Sequence, residues 1–246
     1  MADPSASPCS TPGECCEAKK KTIEDECTKE ESCPEVPGYQ SRISSMRKGE
    51  DVATFYAEVA KLDDAKRECF EKRRCLLRKY KDTEKDDDAC CKGLTGHHLI
   101  ASATFDGSGY CYNHNQALVL CAAGTSNDVG RHGLMHSMTC VNYQLSGKTS
   151  MPVSEMIDHS VDAMKDVFPE SDCDWQCIKK ELKNSYEGMH ESTPAQKKKH
   201  ENGECKAIST RDELPWHCGY SGNQISSDAM SNQFDNAMNQ LQGASS

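Results

Sequence analysis

The residues of this chain best suited to chemistry lie in two short stretches, Thr95-Gly96-His97-His98-Leu99-Ile100 and His132-Gly133-Leu134-Met135-His136. His97 and His98 stand together at the head of an apolar run. His132 and His136 are spaced i, i+4, which puts both on one face of a helix about one turn apart. Five of the nine histidines, these four and His114, fall between positions 97 and 136. Neutral imidazole suits divalent metals and is the usual side chain for proton transfer near neutral pH. The arrangement reads as a metal site with a built-in base; the plainer alternative is that these histidines serve as loop and cap residues.

Elements able to position such a site can be read around it. Residues 99–105 are strand-like, Asp106-Gly107-Ser108-Gly109 signals a turn, and residues 117–123 read as a second strand. Residues 124–130 form a loop and 131–141 a helix. Strand, loop, strand and helix, with histidines on the first strand and the helix, make a compact metal-finger layout. On the N-terminal side, residues 16–32 look like a short charged helix, and 50–80 give the longest helical pattern through Val52, Phe55, Tyr56, Val59, Leu62, Cys69, Phe70, Leu76 and Leu77. An acidic linker, 82–88, follows. On the C-terminal side, Ser154 caps a helix through Met156, Ile157, Val161, Met164 and Phe168, and Ser171 or Asp172 caps another through Trp175, Ile178, Leu182 and Tyr186. After a polar linker at 187–203, residues 205–218, with Trp216, are expected to be clipped back to the body, and 227–242 to form a last helix.

The organisation expected is α+β and mainly helical: a polar cysteine-containing segment at 1–48, a helical segment with a basic stripe at 49–88, a core at 89–150, and C-terminal helices and tail at 151–246. A charged fraction of 28% against 36% hydrophobic, with mean hydropathy −0.77, implies a modest core in 246 residues. The longest apolar run, 117–123, falls far short of the roughly 20 residues of a membrane span, so no membrane insertion is expected. The N-terminus shows neither the basic nor the apolar region of a standard signal peptide.

A net charge of −10 argues against nucleic-acid binding by the surface as a whole. Its distribution is uneven, however, because eight basic residues crowd into positions 66–81. That stripe is either a solvated helix face or a phosphate-contacting surface. Lys72, Arg73, Arg74, Arg78 and Lys79, with Arg131 downstream, are the candidate nucleic-acid contacts. The sixteen cysteines contain no C-x-x-C, which leaves disulfide staples as the leading reading beside a cysteine-ligated zinc or reduced buried thiols.

Taken in order, Cys75-Leu76-Leu77, Cys90-Cys91-x-Gly93-x-Thr95-Gly96-His97-His98-Leu99-Ile100, Tyr112-Asn113-His114-Asn115-Gln116-Ala117, Cys121-x-x-Gly124-Thr125-Ser126 and His132-Gly133-x-x-His136 resemble the GHH-signature toxin nucleases. These belong to the HNH/endonuclease VII superfamily, whose core is a ββα-metal (His-Me finger) unit, here surrounded by helices and stapled by cysteines. The likeness covers roughly residues 70–145. It implies that His97, His132 and His136 bind a divalent metal, that His98 is the general base, and that an asparagine orients it, Asn115 first and Asn113 in reserve, with His114 a bystander. Because neighbouring strand residues face opposite ways, His97 and His98 would need a twist or bulge to act on one phosphate. Ala101 stands where the family usually has proline.

The reaction so implied is metal-dependent hydrolysis of DNA. Imidazole ligands favour zinc, nickel or manganese on softness grounds, whereas magnesium is the family's common metal. The resemblance further implies secretion by a non-classical, type VI-like route, partnership with spike components of that apparatus, action in the cytoplasm of a competing bacterium, and neutralisation by a cognate immunity protein. No spike-tip or repeat domain precedes the toxin-like part, so a cut-down or stand-alone form is expected. A metalloprotease is rejected because Gly133 occupies the place of the H-E-x-x-H glutamate. The alternative that stands is a non-catalytic interaction module stabilised by metal and disulfides.

Overall fold

The computed structural model describes residues 12–28, 32–34, 49–84, 90–124, 130–187, 189 and 205–218. The expected final helix at 227–242, most of the loop at 124–130 and most of the linker at 187–203 lie outside these residues. The protein is α+β and mainly helical. Helices α1 (Pro12–Glu26), α2 (Gly49–Ala60) and α3 (Asp64–Arg73) lead into β1 (Arg78–Lys79) and the short α4 (Tyr80–Glu84). Then come β2 (Leu94–His98), β3 (Leu118–Ala123) and α5 (Gly130–Leu145), followed by β4 (Ser150–Pro152), α6 (Val153–Val167), α7 (Trp175–Glu187) and β5 (Glu213–Pro215).

The long helical pattern at 50–80 is broken by local chemistry. The amides of Lys61 and Leu62 bond back three residues to close α2, and the Asp63 carboxylate then accepts the Lys66 amide at 2.9 Å to cap α3. Likewise Asp174, rather than Ser171 or Asp172, takes the Cys177 amide at 3.1 Å at the head of α7. The first strand also lies upstream of its expected place. Leu99 and Ile100 are buried but not in a ladder; the Leu99 carbonyl accepts the hydroxyl of Ser160 on α6 at 2.5 Å, so its polar group is satisfied by a helix side chain.

β1, β3 and β2 form an antiparallel sheet in that order, and β4 pairs with β5. One core cluster joins Leu99, Ile100 and Leu120 to Met135 and Tyr143 of α5, Met156 and Val161 of α6, and Leu182 of α7. A smaller cluster packs Val52, Phe55 and Val59 of α2 against Phe70, Leu94 and Ala123. Among the described residues, seven disulfides tie this modest core together: Cys16–Cys177, Cys27–Cys69, Cys33–Cys91, Cys75–Cys173, Cys90–Cys121, Cys111–Cys205 and Cys140–Cys218. They span sequence separations of 31 to 161 residues, so each removes a large loop-closure entropy from the unfolded chain. The last two bring residues 205–218 onto the body, where Trp216 Nε1 donates to the Lys148 carbonyl at 2.7 Å.

Candidate functional site

β2 and β3 run in unbroken register, His97 opposite Leu120 and His98 opposite Val119. Gly96 is required by close packing: a Cβ there would come within 2.7 Å of Thr83 Oγ1 and 2.9 Å of Val119 Cγ2. Gly130, at the start of α5, has φ +63°, and a Cβ would stand 2.5 Å from the Ala123 carbonyl oxygen. These glycines let strand, strand and helix close on one another.

Strand alternation turns His97 inward, where it is 1% exposed, toward α5. His132 and His136 meet it there, their ring centroids 4.8 and 4.4 Å from that of His97 and 5.2 Å from each other. One potential ligand atom from each of the three histidines falls within 4.8 Å of the others. His97 Nδ1 is buried without a hydrogen-bond partner, a costly state for a polar atom unless something binds it. Burial pushes His97 and His136 well below the ordinary histidine range, with the neighbouring imidazoles adding to the effect. Burial also lowers His132 to about 4. All three are therefore neutral at pH 7, the form that ligates metals.

Two of the rings are steered by the main chain. The Thr95 hydroxyl donates to the Gly124 carbonyl at 2.5 Å and lies 2.8 Å from His132 Nδ1, and His132 itself donates toward the same carbonyl. His136 donates a ring N–H to the carbonyl of Cys218. Such contacts fix the tautomer and turn the other nitrogen toward the centre. The set holds no carboxylate, and the residues fit a borderline divalent ion such as zinc or nickel.

His98 faces the other side of β2. Its Nε2 lies 3.3 Å from the His114 carbonyl, its ring stacks on that of His114 at 4.2 Å, and the Tyr80 ring packs 4.5 Å from His98 and 4.4 Å from His114. Burial first, then the His114 ring, lower its pKa to about 4, with the bond to the carbonyl opposing. Asn115 is exposed; its amide donates to Asn113 Oδ1 at 3.2 Å, and its carbonyl accepts the Lys81 amide at 3.0 Å. The hydrogen-bond acceptor at His98 Nε2 is thus the His114 carbonyl. Tyr80 was not suggested by the sequence, because nothing in a tyrosine 18 positions upstream points to His98 before α4 and β2 are packed together.

The basic stripe is largely engaged within the protein. Arg74 is 2% exposed, lies 3.0 Å from Glu71 and 3.4 Å from Glu170, and sits over the Phe168 ring at 4.2 Å. Arg131 pairs with the same Glu170 and faces the Tyr56 ring at 5.0 Å. Lys72 pairs with Glu68 and Arg78 with Glu24, each at 2.7 Å, while Arg73 donates to the Cys27 carbonyl at 2.9 Å. Lys79, on β1, is exposed.

The chain is similar to a Pseudomonas aeruginosa protein named DNase toxin Tse7, with 34% identity over 157 residues, taking in 53% of this chain and 39% of that relative. It thus spans well under half the relative's length. No family model matches the chain, and no solved structure matches it. Among the described residues, no helix is long and apolar enough to cross a membrane.

Proposed function

We propose that this chain is a metal-dependent endonuclease of the GHH-signature, His-Me finger type that hydrolyses DNA phosphodiesters. The observation that carries the reading is the meeting of His97 with His132 and His136, one from a strand and two from one face of a helix, with a buried His97 nitrogen left without a partner. Similarity to a DNase toxin supports nucleic acid as the substrate.

His97, His132 and His136 would hold the divalent ion, which when bound supplies Lewis-acid stabilisation of the charge gathering on the phosphoryl and leaving oxygens. His98 is the general base. With Nε2–H given to the His114 carbonyl, its Nδ1 is left to take a proton from the attacking water. Burial keeps this ring neutral, and an arriving phosphate would raise its basicity. Stacking on His114 and Tyr80 holds the ring in place. The strand has no bulge, so metal ligand and base lie on opposite faces of β2, whose last residue is His98. Asn115 remains a candidate for contact with the substrate near this pair. Of the six candidate contacts, Lys79 has the exposure that suits a phosphate contact, while Lys72, Arg73, Arg74, Arg78 and Arg131 would first have to leave their internal partners.

By the same resemblance the protein acts as an antibacterial toxin, leaves the producing cell by a type VI-like route together with spike components, works in the cytoplasm of the target and is neutralised by an immunity protein. Incubation of the purified chain with plasmid DNA tests the enzymatic reading. Nicking or linearisation is expected with Mg²⁺, Mn²⁺, Ni²⁺ or Zn²⁺, with loss in chelator and in His98→Ala. An interaction module would cleave under no condition, and its metal and partner binding would survive His98→Ala.

A further inference from the structure

Each ring of the candidate metal centre is held differently. His97 is fixed by the β2–β3 ladder, and His132 by Thr95 and the Gly124 carbonyl, both next to it in the fold. His136 alone takes its hydrogen-bond acceptor from a distant part of the chain, the carbonyl of Cys218. Cys218 is in turn bonded to Cys140, which lies four residues after His136, on the same face of α5 and fully buried. The strand pairing of Met151 with Leu214 and the Trp216 bond to Lys148 bring the segment alongside. The disulfide ties residue 218 to α5 one turn beyond His136.

We propose that the Cys140–Cys218 disulfide is a positioning element of the metal centre, holding the Cys218 carbonyl so that His136 keeps one tautomer and presents its other nitrogen to the ion. The inference rests on reading His97, His132 and His136 as metal ligands. Outer-shell partners of ligating histidines typically change metal affinity by roughly 10–100-fold. The other disulfides serve as internal references: Cys16–Cys177 joins α1 to α7, elements that carry none of the three histidines.

The test uses the full chain as wild type, Cys140→Ser/Cys218→Ser and Cys16→Ser/Cys177→Ser, with folding checked by near-UV circular dichroism. Zn²⁺ and Ni²⁺ affinities are measured by competition with a chromogenic chelator. Ring tautomers are read by long-range ¹H–¹⁵N NMR on metal-free protein. The expected result is one His136 tautomer in wild type and in Cys16→Ser/Cys177→Ser, a mixture in Cys140→Ser/Cys218→Ser, and a loss of roughly 10–100-fold in metal affinity confined to that variant. Unchanged affinity and tautomer in a folded Cys140→Ser/Cys218→Ser overturns the proposal, as does an equal loss in both disulfide variants. Should Cys140→Ser/Cys218→Ser not fold, the wild-type spectrum decides: two exchanging His136 tautomers overturn the proposal, and a single one supports it. If wild type binds no metal, the ligand reading itself has failed, and the tautomer comparison shows separately whether the disulfide orients His136.

Discussion

His97 and His98 are consecutive in the chain and face opposite sides of β2, His97 into a cluster with His132 and His136, and His98 onto the rings of His114 and Tyr80. The two imidazoles therefore belong to separate environments, and substituting one should leave the other's task intact. On the proposed reading His98→Ala lowers DNA cleavage by roughly 10²–10⁴-fold, the usual worth of a general base, while metal affinity stays at the wild-type value. Calorimetric titration of both proteins with Zn²⁺, beside a plasmid assay, checks this. Joint loss of metal and activity would contradict it.

The metal-free protein should lose stability on mild acidification. His132 is lowered to about 4, and His97 and His136 fall well below their ordinary value, all chiefly by burial. Between the folded value and the unfolded value near 6.5 the unfolded chain binds more protons, so stability rises with pH through that window. It is complete above about 6.5 and lost progressively as pH falls toward 4. Denaturant midpoints of chelator-treated protein at pH 7.5 and 5 measure the effect, which should shrink in His97→Phe.

Arg74 tests whether the basic stripe is architecture or substrate surface. Arg74→Ala takes the guanidinium from Glu71, leaves Glu170 with Arg131 alone and removes packing on Phe168, which should cost about 3 kcal/mol of unfolding free energy. Urea unfolding reads this directly.

Lys79 is the contrasting case. Lys79→Ala should leave stability within about 0.5 kcal/mol, weaken DNA binding uniformly across sequences, and reduce the salt slope of binding by about one. Fluorescence anisotropy with a labelled duplex over a range of salt concentrations measures the slope, and an unchanged slope removes Lys79 from the contact surface.

The helices of the C-terminal half were legible because apolar spacing dominates there: Met156, Ile157, Val161 and Met164 all reach the core from α6. The second strand and α5 could likewise be read from short runs with clear borders. The first strand was displaced because its apolar residues, Leu99 and Ile100, enter the core beyond the ladder, and a hydroxyl 61 residues away satisfies the Leu99 carbonyl. The i, i+4 pair His132 and His136 announced a shared helix face, but their distance to His97 depends on β3 lying between β2 and β1. The fate of the basic stripe was not legible at all. Glu170, which engages both Arg74 and Arg131, is close to them only after the chain beyond α6 has returned to the end of α3 and the start of α5. Nor could the sixteen cysteines name their partners, since connectivity follows from tertiary contacts.

Metal stoichiometry by mass spectrometry of the wild-type chain beside His97→Ala, each loaded with a divalent ion and freed of excess, is the most direct measurement. One tightly held ion per chain in wild type and none in a folded His97→Ala is the predicted result. An ion held equally by both proteins, or by neither, would contradict the convergence of these three imidazoles on a single cation.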